Sequence, residues 1–219
     1  MVPYLQRIVC QLLIKLILST FFVTNLVGCH SLSTPAEILP YYNSVDLTPH
    51  WDSKNTHTIA YFNLMDQTGK NFNSDSLIGK IYIANFFFTK CPSICPKMTK
   101  NLKILQDSIY GSTDIDIVSF SVMPWIDSVN KLKTYSEDNQ INPARWHLLT
   151  GEKSIIYTLG RSSFFADNNM SSDTSSFLHT DKMYLIDQHQ QIRGVYNATN
   201  RNDISRVIND LAILKKAIH

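Results

Sequence analysis

The stretch that most constrains the fold is Ile81–Phe88, an apolar run without the alternation of a half-exposed strand. Such a run predicts a strand covered on both faces, which belongs to a sheet held between layers of helix. It ends at two cysteines, Cys91 and Cys95, each followed by a proline. Beyond them Met98, Leu102, Leu105 and Ile109 recur at helical spacing, with Lys97, Lys100 and Lys103 on other faces. A buried strand thus delivers a pair of thiols to the mouth of a helix.

The rest of the chain reads as support for that junction. Ile59–Leu64 alternates as a strand, Asp66-Gln67-Thr68-Gly69 is a turn, and Lys70–Phe72 returns as a hairpin. Ile115–Val122 is β-branched and forms the next strand. Asp127 or Ser128 caps a helix containing Val129, Leu132 and Tyr135, which Asn139–Pro143 breaks. Trp146–Leu149 is a short strand and Glu152–Leu159 a short helix; Ala166–Ser176 is a polar loop. Met183–Asp187 and Gly194–Tyr196 pair as a hairpin, and Ile204, Val207, Ile208, Leu211, Leu214 and Ile218 mark an amphipathic C-terminal helix. Strands alternating with helices, with hairpins near each end, predict a three-layer α/β domain around a mixed sheet. The cysteines fall at the first strand–helix junction of a parallel unit, a natural place for a reactive site.

The N-terminus is of another kind. Residues 1–28 carry Arg7 and Lys15, no acid, and an apolar run from Leu16 to Val23 that is short for a bilayer span. The run ends in Leu26-Val27-Gly28-Cys29, which resembles the lipobox of bacterial lipoproteins, where cleavage precedes a cysteine that then carries lipid. An uncleaved anchor and an ordinary secretory signal are the competing readings. Residues 29–55, with Pro35, Pro40 and Pro49, read as a tether with room for a short strand or helix near its end, and 56–219 as the folded domain. This organisation places the domain in the bacterial cell envelope, held to the membrane by lipid. The chain has 20 bases and 18 acids; cleavage would remove two bases and leave the charges balanced, which offers no surface for nucleic acid.

With Cys10 in the signal and Cys29 acylated, Cys91 and Cys95 are the remaining thiols. One close pair in an exported protein means a disulfide or a metal site, and closing so short a loop removes little chain entropy. Three residues intervene where the usual dithiol redox motif has two, and soft thiolates on one face select Cu(I), zinc or iron–sulfur clusters. Zinc and clusters normally want four protein ligands; copper(I) accepts two thiolates and an imidazole. Pro96 favours a helix that starts at proline, with Cys95 as its N-cap. The N–H groups there favour thiolate, and Lys90, Lys97 and Lys100 act in the same direction. The candidate imidazoles are His30, His50, His57, His147, His179, His189 and His219. His179 is best placed, because it ends the polar loop and enters the Met183–Asp187 strand. A strand there that neighbours Ile81–Phe88 would hang the loop over the cysteines.

These pieces resemble the Sco/SenC family of membrane-anchored, thioredoxin-fold copper-binding proteins. The matching residues are Leu77-Ile78-Gly79-Lys80, Phe86-Phe87-Phe88-Thr89-Lys90-Cys91-Pro92-Ser93-Ile94-Cys95-Pro96, Trp146 with Leu149-Thr150-Gly151, and His179 before Tyr184-Leu185-Ile186-Asp187. The resemblance implies an α/β, thioredoxin-like three-layer fold with a mixed central sheet flanked by helices. It implies Cys91 and Cys95 as thiolate copper ligands and His179 as the imidazole ligand. The family delivers copper to, or reduces the cysteines of, the binuclear copper site in subunit II of cytochrome c oxidase; another envelope cuproprotein is the alternative partner. One departure stands out. The family has Asp-Pro followed by Arg-Asp after the strand corresponding to Ile115–Val122, and this chain has Met123-Pro124-Trp125-Ile126-Asp127. Met123 is either a soft thioether beside the site or a packed side chain.

Two functions of different class follow. A copper chaperone would hold the ion on Cys91, Cys95 and His179 and release it by ligand exchange. A dedicated thiol–disulfide reductase would use Cys91 and Cys95 as a redox pair. Thioredoxin-type reductases place a cis-proline opposite the dithiol, and this chain has no proline after Pro143. A peroxiredoxin is a poorer match: Thr89 stands two residues before Cys91 where that family's threonine stands three before.

Overall fold

The computed structural model describes residues 38–54, 57–167, 178 and 180–216. The signal segment, Cys29, His30, His179 and His219 lie outside them. In chain order the elements are β1 (Tyr41–Tyr42), β2 (Pro49–His50), β3 (Asn63–Asp66), β4 (Asn71–Asn73), a 3-10 turn (Ser74–Leu77), β5 (Ile81–Phe87) and α1 (Ile94–Ser108). There follow β6 (Ile115–Ser121), α2 (Val129–Asp138), β7 (Trp146–Thr150), α3 (Lys153–Thr158) with a π-helical turn (Leu159–Ser163), β8 (Lys182–Ile186), β9 (Ile192–Asn197) and α4 (Arg201–Lys216).

Seven strands make one sheet in the order β4-β3-β7-β6-β5-β8-β9. β5, β6 and β7 are mutually parallel, while β3 and β8 run antiparallel to their neighbours. The sheet is therefore mixed, and β5–α1–β6 is the parallel crossover that the sequence predicts. All seven residues of β5 are buried. Because side chains alternate between faces, Ile81, Ile83 and Phe87 join one core and Tyr82, Ala84 and Phe86 the other. The first core is closed by Met98, Leu102 and Leu105 of α1, Leu132 of α2, and Ile204, Val207, Leu211 and Leu214 of α4. The second is closed by Ile156 and Tyr157 of α3 and by Leu159 and Phe164. Helix, sheet and helix make three layers, and the fold is the thioredoxin-like α/β arrangement expected.

Two boundaries differ from the sequence expectation. Ile59 and Phe62 are buried, but the strand begins only at Asn63. The Ile59 N–H donates to the Gln190 carbonyl and the Phe62 N–H to the Ser74 hydroxyl, so neither joins the ladder. Apolar alternation there records burial without strand pairing. The second difference lies in the segment read as tether. Arg193, on β9, donates to the carbonyls of Leu39 (2.6 Å) and Pro40 (3.0 Å), pairs with Asp187 (3.0 Å) and lies 3.9 Å from the Tyr41 ring centroid. β1 and β2 pair antiparallel just beyond. Residues from Ile38 onward thus belong to the same compact unit as the sheet.

Candidate metal centre

β5 carries the chain to the site, and its exit is stitched to the end of β6. The Val122 N–H donates to the Phe87 carbonyl at 2.9 Å. Asp127, fully buried, accepts from the Thr89 N–H (3.1 Å), the Thr89 hydroxyl (2.6 Å) and the Ser121 hydroxyl (2.6 Å). A carboxylate taken out of water needs such donors, and these three fix the backbone two residues before Cys91. The Cys91 N–H then donates to the Phe88 carbonyl at 3.3 Å, turning the chain towards α1.

The helix does not begin at Pro96. It starts at Ile94 with Ser93 as N-cap, which places Cys95 inside the first turn. Ser93 makes no side-chain cap; the Cys95 N–H donates instead to Cys91 Sγ at 3.4 Å. The sulfur serves as the capping acceptor for one of the orphan donors of the first turn. Pro96 is tolerated there because its missing N–H would have had no intrahelical partner.

Both cysteines are free thiols, with Cys91 7% and Cys95 4% exposed. Their acidities diverge. Burial pushes the Cys91 thiol up, but hydrogen bonds from the Cys95 thiol and from the N–H groups of Cys95, Ser93 and Ile94 outweigh it. Its pKa therefore lies below the ordinary thiol value. Burial, followed by the bond to Cys91, pushes Cys95 up to about 12. The pair is one incipient thiolate cradled by a helix N-terminus and one thiol that keeps its proton. Lys90, Lys97 and Lys100 are all exposed, and none is among the causes of the Cys91 shift. Against burial, the lowering comes from the Cys95 thiol first and then from the backbone N–H groups of the helix start. Behind the thiols Tyr135 packs on Phe87 with ring centroids 5.5 Å apart, its hydroxyl 2.7 Å from that of Thr99.

Of the histidines read as possible third ligands, none that is described joins the cysteines in a set that could hold a metal ion, and the rings of His57 and His147 have other partners. His57 Nε2 is 2.9 Å from the Ser163 carbonyl, and His147 packs on Phe72 with the rings tilted by 37° and their centroids 4.4 Å apart. His50 ends β2, and His189 sits in the β8–β9 turn with its N–H on Asp187. Among the described residues no set of three His, Cys, Asp or Glu side chains could hold a metal ion. His179 lies outside the described residues, but its surroundings in the chain are defined. β8 runs antiparallel to β5 with Met183 opposite Asn85, so its first residues lie at the sheet edge where β5 ends. Leu178 is fully buried, close enough to Gly160 that a Cβ there would stand 2.5 Å from its Cδ2, and the Thr180 hydroxyl accepts the Lys182 N–H. Met123 packs against the Phe86–Phe120 core, on the opposite face from Cys91 and Cys95. It is a packed side chain.

Asp127 is the residue whose part in the site spacing and periodicity did not disclose; the resemblance marked it only as the aspartate kept from the family's Arg-Asp. It reads as a helix cap, but Ser128 caps α2 by accepting the Lys131 N–H. Two adjacent cap residues where one suffices was the available signal.

The SCO1/SenC family model matches residues 51–215. The chain is similar to a SCO1/SenC family lipoprotein from Bacillus anthracis, with 29% identity over 73% of this chain and 96% of the relative, at a TM-score of 0.65. It is similar to BsSco, described as a Sco-family cytochrome c oxidase assembly protein with a disulfide switch: 29% identity, 74% and 94% coverage, TM-score 0.63. It is also similar to Arabidopsis thaliana ScoI, solved with copper bound: 26% identity, 72% and 98% coverage, TM-score 0.56. Carrying that match across its sheet, its helices and both cysteines, the chain belongs to the SCO1/SenC family.

Proposed function

We propose that this chain is a copper chaperone that carries one copper ion on Cys91, Cys95 and His179 and passes it on for assembly of the copper site of cytochrome c oxidase subunit II. The observation that carries the reading is the pair itself: two reduced, buried sulfurs at a helix mouth, with the N–H of one residue on the sulfur of the other at 3.4 Å. Soft thiolates in a dry, electropositive cradle suit Cu(I), and a third ligand from one imidazole would complete a coordination that this ion accepts. The copper held by Arabidopsis thaliana ScoI and the assembly role of BsSco support the assignment. Cys91 offers the readier lone pair. Cys95 must surrender its proton to bind and can take it back as a partner's ligand displaces it, which favours hand-over above permanent storage. Lipid attachment at Cys29 would hold the domain at the bacterial envelope surface; the Bacillus anthracis relative is described as a lipoprotein.

Anaerobic copper titration of the full-length protein tests the reading. One equivalent of tightly held copper is expected, lost in Cys91→Ala and in Cys95→Ala and weakened in His179→Ala. Full affinity after replacing both cysteines would end it.

The same asymmetry of acidity supports a second reading, as a thiol–disulfide reductase. The Cys91 thiolate would attack a partner disulfide and expel one partner thiolate. Cys95, deprotonated in turn, would attack the Cys91 sulfur and release the second. Two electrons pass to the partner, and Cys91 and Cys95 become a disulfide. An insulin-reduction assay separates the two: turnover lost in both cysteine variants favours the reductase.

A further inference from the structure

The edge of the sheet that presents the thiols also presents an aromatic side chain with no part in the site. Trp125 is 54% exposed. It lies in the turn of residues 123–127, where the N–H groups of Ile126 and Asp127 both donate to the Met123 carbonyl. That turn is fastened to the Cys91 loop at both ends, through Val122 on Phe87 and Asp127 on Thr89. The indole is therefore held on a rigid mount beside the mouth of the site.

Its neighbour is a cation. Lys153 Nζ lies 5.2 Å from the Trp125 ring centroid and 4.9 Å from that of Tyr157, whose hydroxyl donates to the Val122 carbonyl at 3.0 Å. β5, β6 and β7 are parallel, so Cys91, Trp125 and Lys153, which follow them in turn, all emerge at one edge. Lys90, Lys97 and Lys100 are exposed at the same end, around the start of α1. Among the described residues none of these four lysines makes an ion pair; that is also true of Lys54, Lys70, Lys131, Lys133, Lys182 and Lys216, and what distinguishes the four is that they gather at the end of the sheet where the thiols lie. Uncompensated ammonium groups gathered at one end of the sheet, in a chain whose formal net charge is only +2, make a local field.

We infer that this edge is the docking face for an acidic protein surface, with Trp125 as its apolar anchor. The inference rests on the reading of Cys91 and Cys95 as copper ligands, and it names the surface that brings an acceptor to them. An exposed tryptophan backed by cations has the make-up of an interface hot spot, and lysines around it steer an acidic partner into register. Basic and aromatic side chains also suit anionic lipid, but a membrane laid on this edge would cover the opening through which the ion must leave.

The test uses copper-loaded, full-length protein and two synthetic dithiol peptides of equal length, one flanked by glutamates and one by lysines. Copper loading is measured first, then the rate of transfer to each peptide. Transfer to the acidic peptide is expected to be about tenfold faster at low salt, a preference that collapses at high ionic strength. Trp125→Ala and Lys153→Glu, both at exposed positions, are each expected to reduce it at least threefold. Equal rates from a normally loaded protein would overturn the docking face alone, as would a preference that both variants leave intact. A wild-type chain that does not load copper would overturn the copper reading and this one together. Slowing of transfer by phosphatidylglycerol vesicles, relieved by Trp125→Ala, would assign the face to lipid and overturn the proposal.

Discussion

Asp127 accepts both the backbone N–H and the hydroxyl of Thr89, at 3.1 and 2.6 Å, and so holds the loop that presents Cys91 from a position 38 residues further along the chain. Removing that carboxylate strands three donors in a buried place. Asp127→Ala should cost about 2–4 kcal/mol of stability, and Thr89→Val about 1 kcal/mol, by the usual expense of unmade buried hydrogen bonds. Urea denaturation checks both; a loss under half a kcal/mol in Asp127→Ala would show that the clamp is not structural.

The cysteines should differ in reactivity. Cys91 lies below the ordinary thiol value and Cys95 at about 12, so near neutral pH the thiolate is almost all on Cys91. Brief iodoacetamide treatment of the metal-free, reduced protein should label Cys91 at least tenfold faster, because only the thiolate attacks. Peptide mass spectrometry reads the ratio, and equal labelling would contradict the asymmetry.

His147 should make the fold acid-sensitive. Burial lowers its pKa, and among the described residues its Nδ1 has no hydrogen-bond partner. Because the folded-state pKa is below the unfolded one, the unfolded chain takes up a proton that the folded chain refuses. Stability from this group is complete above the unfolded value of about 6.5 and falls as pH drops below it, by at most about 1.4 kcal/mol per pH unit. Denaturation curves at pH 7 and pH 5 should converge in His147→Leu; an unchanged pH dependence in that variant would remove His147 as the cause.

Arg193 should hold the N-terminal segment on the domain. Arg193→Leu frees the carbonyls of Leu39 and Pro40 and leaves buried Asp187 without its cation. The expected loss is about 3–5 kcal/mol, as for other buried pairs broken on one side, with faster trypsin cleavage after Lys54. A variant with wild-type cleavage kinetics would show that the segment is held by other contacts.

Much of this architecture is legible in the chain because burial writes itself into sequence. β5 reads correctly since a strand covered on both faces has no room for polar alternation, and the two cores divide its residues by parity. Ile59–Phe62 misleads for the same reason: its alternation reports burial, while its backbone bonds go to Gln190 and Ser74. At the site the thiol pair is plain, but the helix start is not. The rule that a residue before proline avoids helix was outweighed by a sulfur acting as a cap, and no spacing rule anticipates that. Asp127 and Arg193 escape notice because their partners lie far away in the chain, Thr89 in one case and Leu39 in the other. Long-range polar bonds leave no local period.

The central claim is a ligand set, and X-ray absorption at the copper edge reads ligands directly. Copper-loaded wild-type protein should show two sulfur scatterers and one imidazole nitrogen. Cys91→Ala should lose a sulfur, and His179→Ala should lose the nitrogen while keeping both sulfurs. Copper bound through nitrogen and oxygen alone, or a spectrum indifferent to these substitutions, would contradict the account.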